Sequence, residues 1–200
     1  MYTINYKDNE KYCSQIIDKE QFMSIREFAE RIVTACREGD KESKKRLPQI
    51  NYTGHYTDGQ LLKGCKMMSD WCVMDINDKA EAERVAGLMM GREEELGIGM
   101  VEKSVNHGLH IVCRRGKGEG IEDAQKRLSD ALGGITYNTA VHDVTRVIFC
   151  TGISDLLYLS DSLFADDEHP EEISACTQQK SPADNCQTTD SSKVYQTEYK

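Results

Sequence analysis

Asp75, His110 and Asp143 are the residues of this chain whose types can act together on a phosphate. Carboxylates suit a hard divalent cation such as Mg²⁺, which takes oxygen ligands and leaves its other positions to waters and substrate phosphates. Two bare carboxylates ~4 Å apart repel by roughly 4 kcal/mol at an effective dielectric near ~20. A bound cation removes that conflict, whereas without one the pKa of one carboxylate rises. A histidine beside the pair is suited to a phosphate oxygen that the cation does not neutralise.

These residues lie far apart in the chain, so the elements between them must bring them together. WCVMDI (71–76) reads as a strand, and 78–96 as a helix opened by a capping box of Asp78 and Glu81. IGMVEK (98–103) and GLHIVCR (108–114) read as two strands joined by SVNH, a hairpin-length link. Residues 119–134 read as a helix stopped by glycines, and TRVIFC (145–150) as a strand. The order β-α-β-β-α-β is that of a ferredoxin-like or RRM-like core in the α+β class.

Such a sheet has the strand order 4-1-3-2. The end of its first strand, with Asp75, then lies beside the start of the third, with His110, and the entry to the fourth, with Asp143. Alternation along the strands puts Trp71, Val73, Asp75 and Asn77 on one face, and His110, Val112 and Arg114 on the same open face of the third strand. Each residue also has an ordinary structural reading. Asp75 ends a strand, Asp143 makes a turn, His110 is a hydrogen-bonded sheet histidine, and Asn77 or Asp78 caps the next helix.

Upstream, Ser24 and Glu27 form an S-x-x-E capping box before Ile25, Phe28, Ala29, Ile32 and Cys36 at helical spacing, with Gly39 as the stop. A charged link then passes through Pro48 to the strand-like INYTGHY, followed by a short helical piece at 61–68. The expected organisation is an N-terminal helical extension over 1–46, an α+β domain over 47–171, and a polar tail over 172–200. The tail has too little apolar surface to offset its ordering entropy and reads as disordered or linker-like.

The net charge is −9, but residues 161–200 hold nine acids and three bases, so residues 1–160 carry only −3. Local basic runs, Lys44-Lys45-Arg46 and Arg114-Arg115-Gly116-Lys117, leave nucleic-acid contact open. Eight cysteines include no C-x-x-C pair, and Cys72, Cys113 and Cys150 lie in apolar runs, which favours buried reduced thiols. No apolar leader or membrane-length run is present in the sequence, so the expected location is cytoplasmic with no membrane partner.

LPQINYTGHY, WCVMDIND, KSVNHGLHIV and HDVTRVIFC, taken in order over about Leu47 to Phe164, resemble the N-terminal domain of virulence-associated-protein-E-type proteins of bacterial mobile elements. More distantly the set is similar to the archaeo-eukaryotic primase superfamily, including primase-polymerases. The resemblance implies metal-dependent nucleotidyl transfer on DNA with Mg²⁺ or Mn²⁺. Asp75 and Asp143 would hold metal, Ser104 and His110 would form the nucleotide motif, and Arg146, after Thr145, would contact phosphate. Nucleoside triphosphate and DNA are the implied partners.

Asn77 stands where the family has the second acid of its first motif, and a neutral amide supplies no charge to a second cation. A catalytically degenerate module that binds nucleotide, single-stranded DNA or a replication partner is the alternative. The chain has no G-x-x-x-x-G-K-[ST] loop, so a helicase-type ATPase would be a separate partner or another part of a longer protein. An RNA-recognition module fits less well, because GLHIVCR lacks the stacking aromatics of that fold's third strand.

Overall fold

The computed structural model describes residues 2–8, 11–168 and 170–172, with side chains from Tyr12 onward. It is an α+β structure of three antiparallel sheets and three α-helices. The first sheet has the order β2-β1-β3-β9, made of Lys11–Ile17, Tyr2–Asp8, Gln49–Asn51 and Ile148–Phe149. The central sheet has the order β10-β7-β8-β6, made of Leu156–Leu159, Ile98–Lys103, Leu109–Arg114 and Trp71–Ile76. A small third sheet joins β11 (Glu171–Glu172), β5 (Met67–Met68) and β4 (Gly54–His55).

Alternation in the central strands divides the core in two. Cys72, Met74 and Ile76 of β6, with Leu109, Ile111 and Cys113 of β8, pack against α2 (Lys79–Met89) and α3 (Ile121–Ala131). Trp71, Val73, Met100 and Val112 take the opposite face and pack with Phe22 and Ile25 of α1 (Lys19–Arg37) and with Ile50 and Ile148 of the first sheet. That second face, expected to be open, is therefore largely covered, because α1 and the first sheet bring enough apolar surface to bury it. It stays accessible near Asp75 and, at the other end of the β6–β8 pair, at Arg114, whose side chain is 33% exposed.

Strand order β6-β8-β7 is that of the first, third and second strands of the expected unit. The fourth strand departs from it. Only Ile148–Phe149 of TRVIFC is strand, and it pairs with Gln49 and Ile50 instead of with β6. The edge of β6 is satisfied in another way. Gln125 Nε2 of α3 donates to the Val73 carbonyl at 2.8 Å, and the Asn138 backbone N–H donates to the Asp75 carbonyl at 2.8 Å. The loop after α3 thus takes the place where the fourth strand was expected.

Helix α1 also starts earlier than the Ser24 box implied. Asp18 is its N-cap, accepting from the Gln21 N–H at 2.8 Å, while the Gln21 side chain accepts from the Asp18 N–H at 3.0 Å. Asp78 caps α2 as expected, accepting from the Glu81 N–H at 2.8 Å. The Glu81 carboxylate, however, turns to Arg84 and the Thr136 N–H instead of closing the box. INYTGHY is split between two sheets at Tyr52-Thr53, where Asn51 Oδ1 accepts from the Gly54 N–H at 2.7 Å. The six described cysteines are free thiols, and Cys72 and Cys113 face each other across β6 and β8 at 3.4 Å. Among the described residues no helix is long and apolar enough to cross a membrane. Most of the polar tail expected from 172 lies outside the described residues.

Candidate functional site

Pairing of β6, β8 and β7 places three ionisable residues in one row. Asp75 lies opposite His110, and His110 lies opposite Glu102. His110 Nδ1 is 2.8 Å from Glu102 Oε1, and His110 Nε2 is 3.9 Å from Asp75 Oδ1. The row continues into α1, because Glu102 Oε2 accepts from Arg26 NH1 at 2.5 Å and from Thr151 Oγ1 at 2.8 Å. Exposure rises along it, from 0% for the Arg26 and Glu102 side chains to 10% for His110 and 16% for Asp75.

Burial alone would push the Glu102 carboxyl up. The Arg26 guanidinium and the hydrogen bond and charge of His110 outweigh it and bring the pKa down to about 2. A charge removed from water in this way is tolerated because each of its oxygens is hydrogen-bonded. Arg26 is held further by the Thr151 carbonyl at 3.2 Å and by Met100 Sδ at 3.0 Å, and it lies over the Phe22 ring at 4.4 Å.

The exposed end of the row opens into a cleft of about 270 Å³. Asp75, Asn77, Ser104, His110, Asn138 and Arg146 line it, together with Lys44 and a small apolar set that includes Val141 and Phe149. Ser104 closes the β7–β8 hairpin: its hydroxyl accepts from the Gly108 N–H at 3.0 Å, which leaves its own proton free to donate. Arg37, the last residue of α1, anchors that hairpin by donating to the carbonyls of Ser104 at 3.1 Å and Val105 at 3.2 Å. Asn138 Nδ2 donates to Asp75 Oδ2 at 3.2 Å. The loop that carries Asn138 and Arg146 has little regular structure, but it is fixed by Asn51 Nδ2, which donates to the carbonyls of Val144 and Arg146, and by Gln125 Nε2 on the Val141 carbonyl.

Two cations face this cleft without a carboxylate partner among the described residues. Arg146 is exposed and ion-pairs with none of them, and Lys44 Nζ lies 5.4 Å from the centroid of the Phe149 ring. With the amide and hydroxyl groups of Ser104, Asn77 and Asn138, they make a site rich in donors for an anion.

Asp143 is not part of that cleft. It is exposed, its Oδ1 accepts from the N–H of Thr145 at 2.7 Å and from its hydroxyl at 2.9 Å, and its charge acts on Tyr56 and Cys65. The departure of the fourth strand from the central sheet removes the geometry that would have brought it to Asp75. The donor set therefore does not fit a two-cation centre. Among the described residues Asp75 is the one acid lining the cleft, Asn77 is neutral, and Glu102 is engaged by Arg26, His110 and Thr151. Among the described residues no three His, Cys, Asp or Glu side chains are arranged to hold a metal ion.

Sequence reasoning missed Glu102, Arg26 and Asn138, and marked Lys44 only as part of a basic run. Glu102 alone carried a usable signal: a tight hairpin between 103 and 109 puts residue 102 opposite 110, on the face of His110. Arg26 had none, since its helix meets the sheet only through tertiary packing. Comparison of the chain with protein-family models, with curated proteins and with solved structures gives no match in any of the three.

Proposed function

We propose that this chain is a nucleotide-binding module on the plan of the primase-polymerase superfamily, related to the N-terminal domain of virulence-associated-protein-E-type proteins, and that its cleft receives the phosphates of a nucleoside triphosphate. The observation that carries the reading is that Asp75, Ser104, His110 and Arg146, set out along 72 positions of the chain in the order of that family's motifs, line one cleft with Lys44, and that Arg146 and Lys44 have no carboxylate partner among the described residues. Arg146 and Lys44 are suited to phosphate oxygens, and the Ser104 hydroxyl donates to one. Single-stranded DNA and a separate helicase-type ATPase are partners that the same reading proposes.

A degenerate site is favoured over an active one by the single acid in the cleft. The second reading, metal-dependent nucleotidyl transfer with Mg²⁺ or Mn²⁺, is favoured by the position of Asp75, an ionisable side chain at the accessible end of the row. Titration calorimetry with ATP and dATP, with and without Mg²⁺, tests the first. Binding is expected to weaken about tenfold in Arg146→Ala and in Lys44→Ala, the size of one charged hydrogen bond of about 1.5 kcal/mol. No binding of either nucleotide would overturn the reading. Extension of a primed DNA template that is lost in Asp75→Ala would replace it with the catalytic one.

A further inference from the structure

Glu102 and Arg26 are fully buried, yet neither reaches the cleft. Among the described residues, the side-chain hydrogen bond that joins them to the cleft is the one between Glu102 and His110. We propose that Glu102, braced by Arg26 and Thr151, is a positioning residue that fixes the His110 ring with the proton on Nδ1 and Nε2 presented to the cleft.

An ionised carboxylate only accepts hydrogen bonds, so the 2.8 Å contact from Glu102 Oε1 requires Nδ1 to be the donor. Glu102 stays ionised because Arg26 NH1 and the Thr151 hydroxyl both donate to its other oxygen, at 2.5 and 2.8 Å. Thr151 is itself fully buried, and its carbonyl accepts from Arg26 at 3.2 Å, so the brace closes on itself. The opposite nitrogen, Nε2, lies on the Asp75 side, where the row becomes accessible. Free histidine favours the other neutral tautomer, with the proton on Nε2. The buried acid therefore selects the form that free histidine populates less, and it fixes the plane of the ring as well.

A buried ion pair is an expensive way to hold a sheet together, since apolar residues of similar volume stabilise at least as well. Its presence directly behind a cleft histidine is accounted for by orientation. The neutral ring offers the ligand a lone pair at Nε2, and the protonated ring offers a proton there. In both forms the same atom meets the ligand.

The double variant Arg26→Met/Glu102→Leu removes the support while filling the space, and a circular-dichroism melt checks that it folds. Long-range ¹H–¹⁵N spectra of histidine-labelled protein, recorded above the titration of His110, read the tautomer. The wild type is expected to show His110 protonated at Nδ1, and the double variant to revert to the Nε2-protonated form. Affinity for ATP is expected to fall about tenfold in the double variant, a part that rests on the nucleotide reading above. His110 protonated at Nε2 in the wild type would overturn the proposal, whether or not the variant folds. So would unchanged ATP affinity in a folded double variant of a wild type that binds ATP. If the wild type shows the Nδ1 form but binds no ATP, the nucleotide reading fails and the support of His110 stands.

Discussion

Gly108 decides whether the hairpin can sit beside the cleft. A Cβ there would lie 2.2 Å from the backbone carbonyl oxygen of Ile76, at the end of β6, and that oxygen cannot swing away as a flexible side chain would. Gly108→Ala is expected to cost at least about 2 kcal/mol in urea unfolding, since the strand end must shift to accept the methyl. An unchanged midpoint would mean that β6 and the hairpin are not in this contact. Glu102 gives a second expectation at this scale. Its carboxyl titrates at about 2 in the folded protein against an ordinary value of 4.5. The ionised form therefore stabilises the fold above the unfolded value, and that contribution disappears as the pH falls through the folded one. Urea unfolding between pH 6 and pH 2 is expected to show a steeper loss for the wild type than for Arg26→Met/Glu102→Leu. Parallel curves would show that Glu102 is not ionised in the fold. The sequence made His110 conspicuous and left its partner unremarked. A glutamate after Met100 and Val101 looks like a strand residue turned to solvent, and only pairing across the hairpin shows that it is not.

Helix α1 separates local signal from tertiary placement. Ser24 and Glu27 satisfy the pattern of a capping box, but Ser24 is exposed within the second turn of a helix that begins at Lys19. Lys19, Glu20 and Gln21 carry no apolar periodicity, so the first turn is invisible to a search for an amphipathic face. The true cap is Asp18, directly after the end of β2 at Ile17. Asp18→Ala is expected to lower stability by about 1 kcal/mol through loss of the cap, whereas Ser24→Ala should leave it unchanged or slightly raised, since alanine is the better helix former. Thermal melts of the two variants in parallel check this, and the reverse ranking would restore the start at Ser24. The strands β6 and β7 matched their expected bounds because alternation within each is confirmed by the element on either side. The segment from 133 to 147 was not readable in that way. Its position depends on side chains from two elements, Asn51 of β3 and Gln125 and Ser129 of α3, which satisfy backbone groups that a strand would have paired. Convergence of Asp75 with His110 could thus be read from the sheet, and the separation of Asp143 could not.

Across the whole molecule, the two ends of β6 do different work. Its carboxyl end carries Asp75 into the cleft, while its amino end, preceded by Ser69 and Asp70, is where the acidic segment after Phe164 docks. Asp167 is the hinge of that docking. Its side chain is 1% exposed, with His55 Nδ1 at 2.5 Å on one oxygen and the Asp70 N–H at 3.1 Å on the other. Asp70 returns the contact, accepting from the Glu168 N–H at 2.7 Å, and β11 then pairs with β5. An acidic run that looks solvated in the sequence is therefore partly internal, because its backbone and one buried carboxylate find partners that the rest of the chain presents. Removing that carboxylate leaves the Asp70 N–H and the His55 ring without their partner, at a cost of about 1–3 kcal/mol. Asp166, exposed beside it, makes no such contact, and its replacement by alanine should stay within about 0.5 kcal/mol. Because the segment docks at the opposite end of the strand from Asp75, Asp167→Ala is expected to lower the unfolding midpoint while leaving ATP affinity within about twofold, changes at well-separated sites being close to additive. Urea unfolding and calorimetry on the same preparation measure both. A tenfold loss of affinity at intact fold would show that the two ends of the central sheet are coupled through β6.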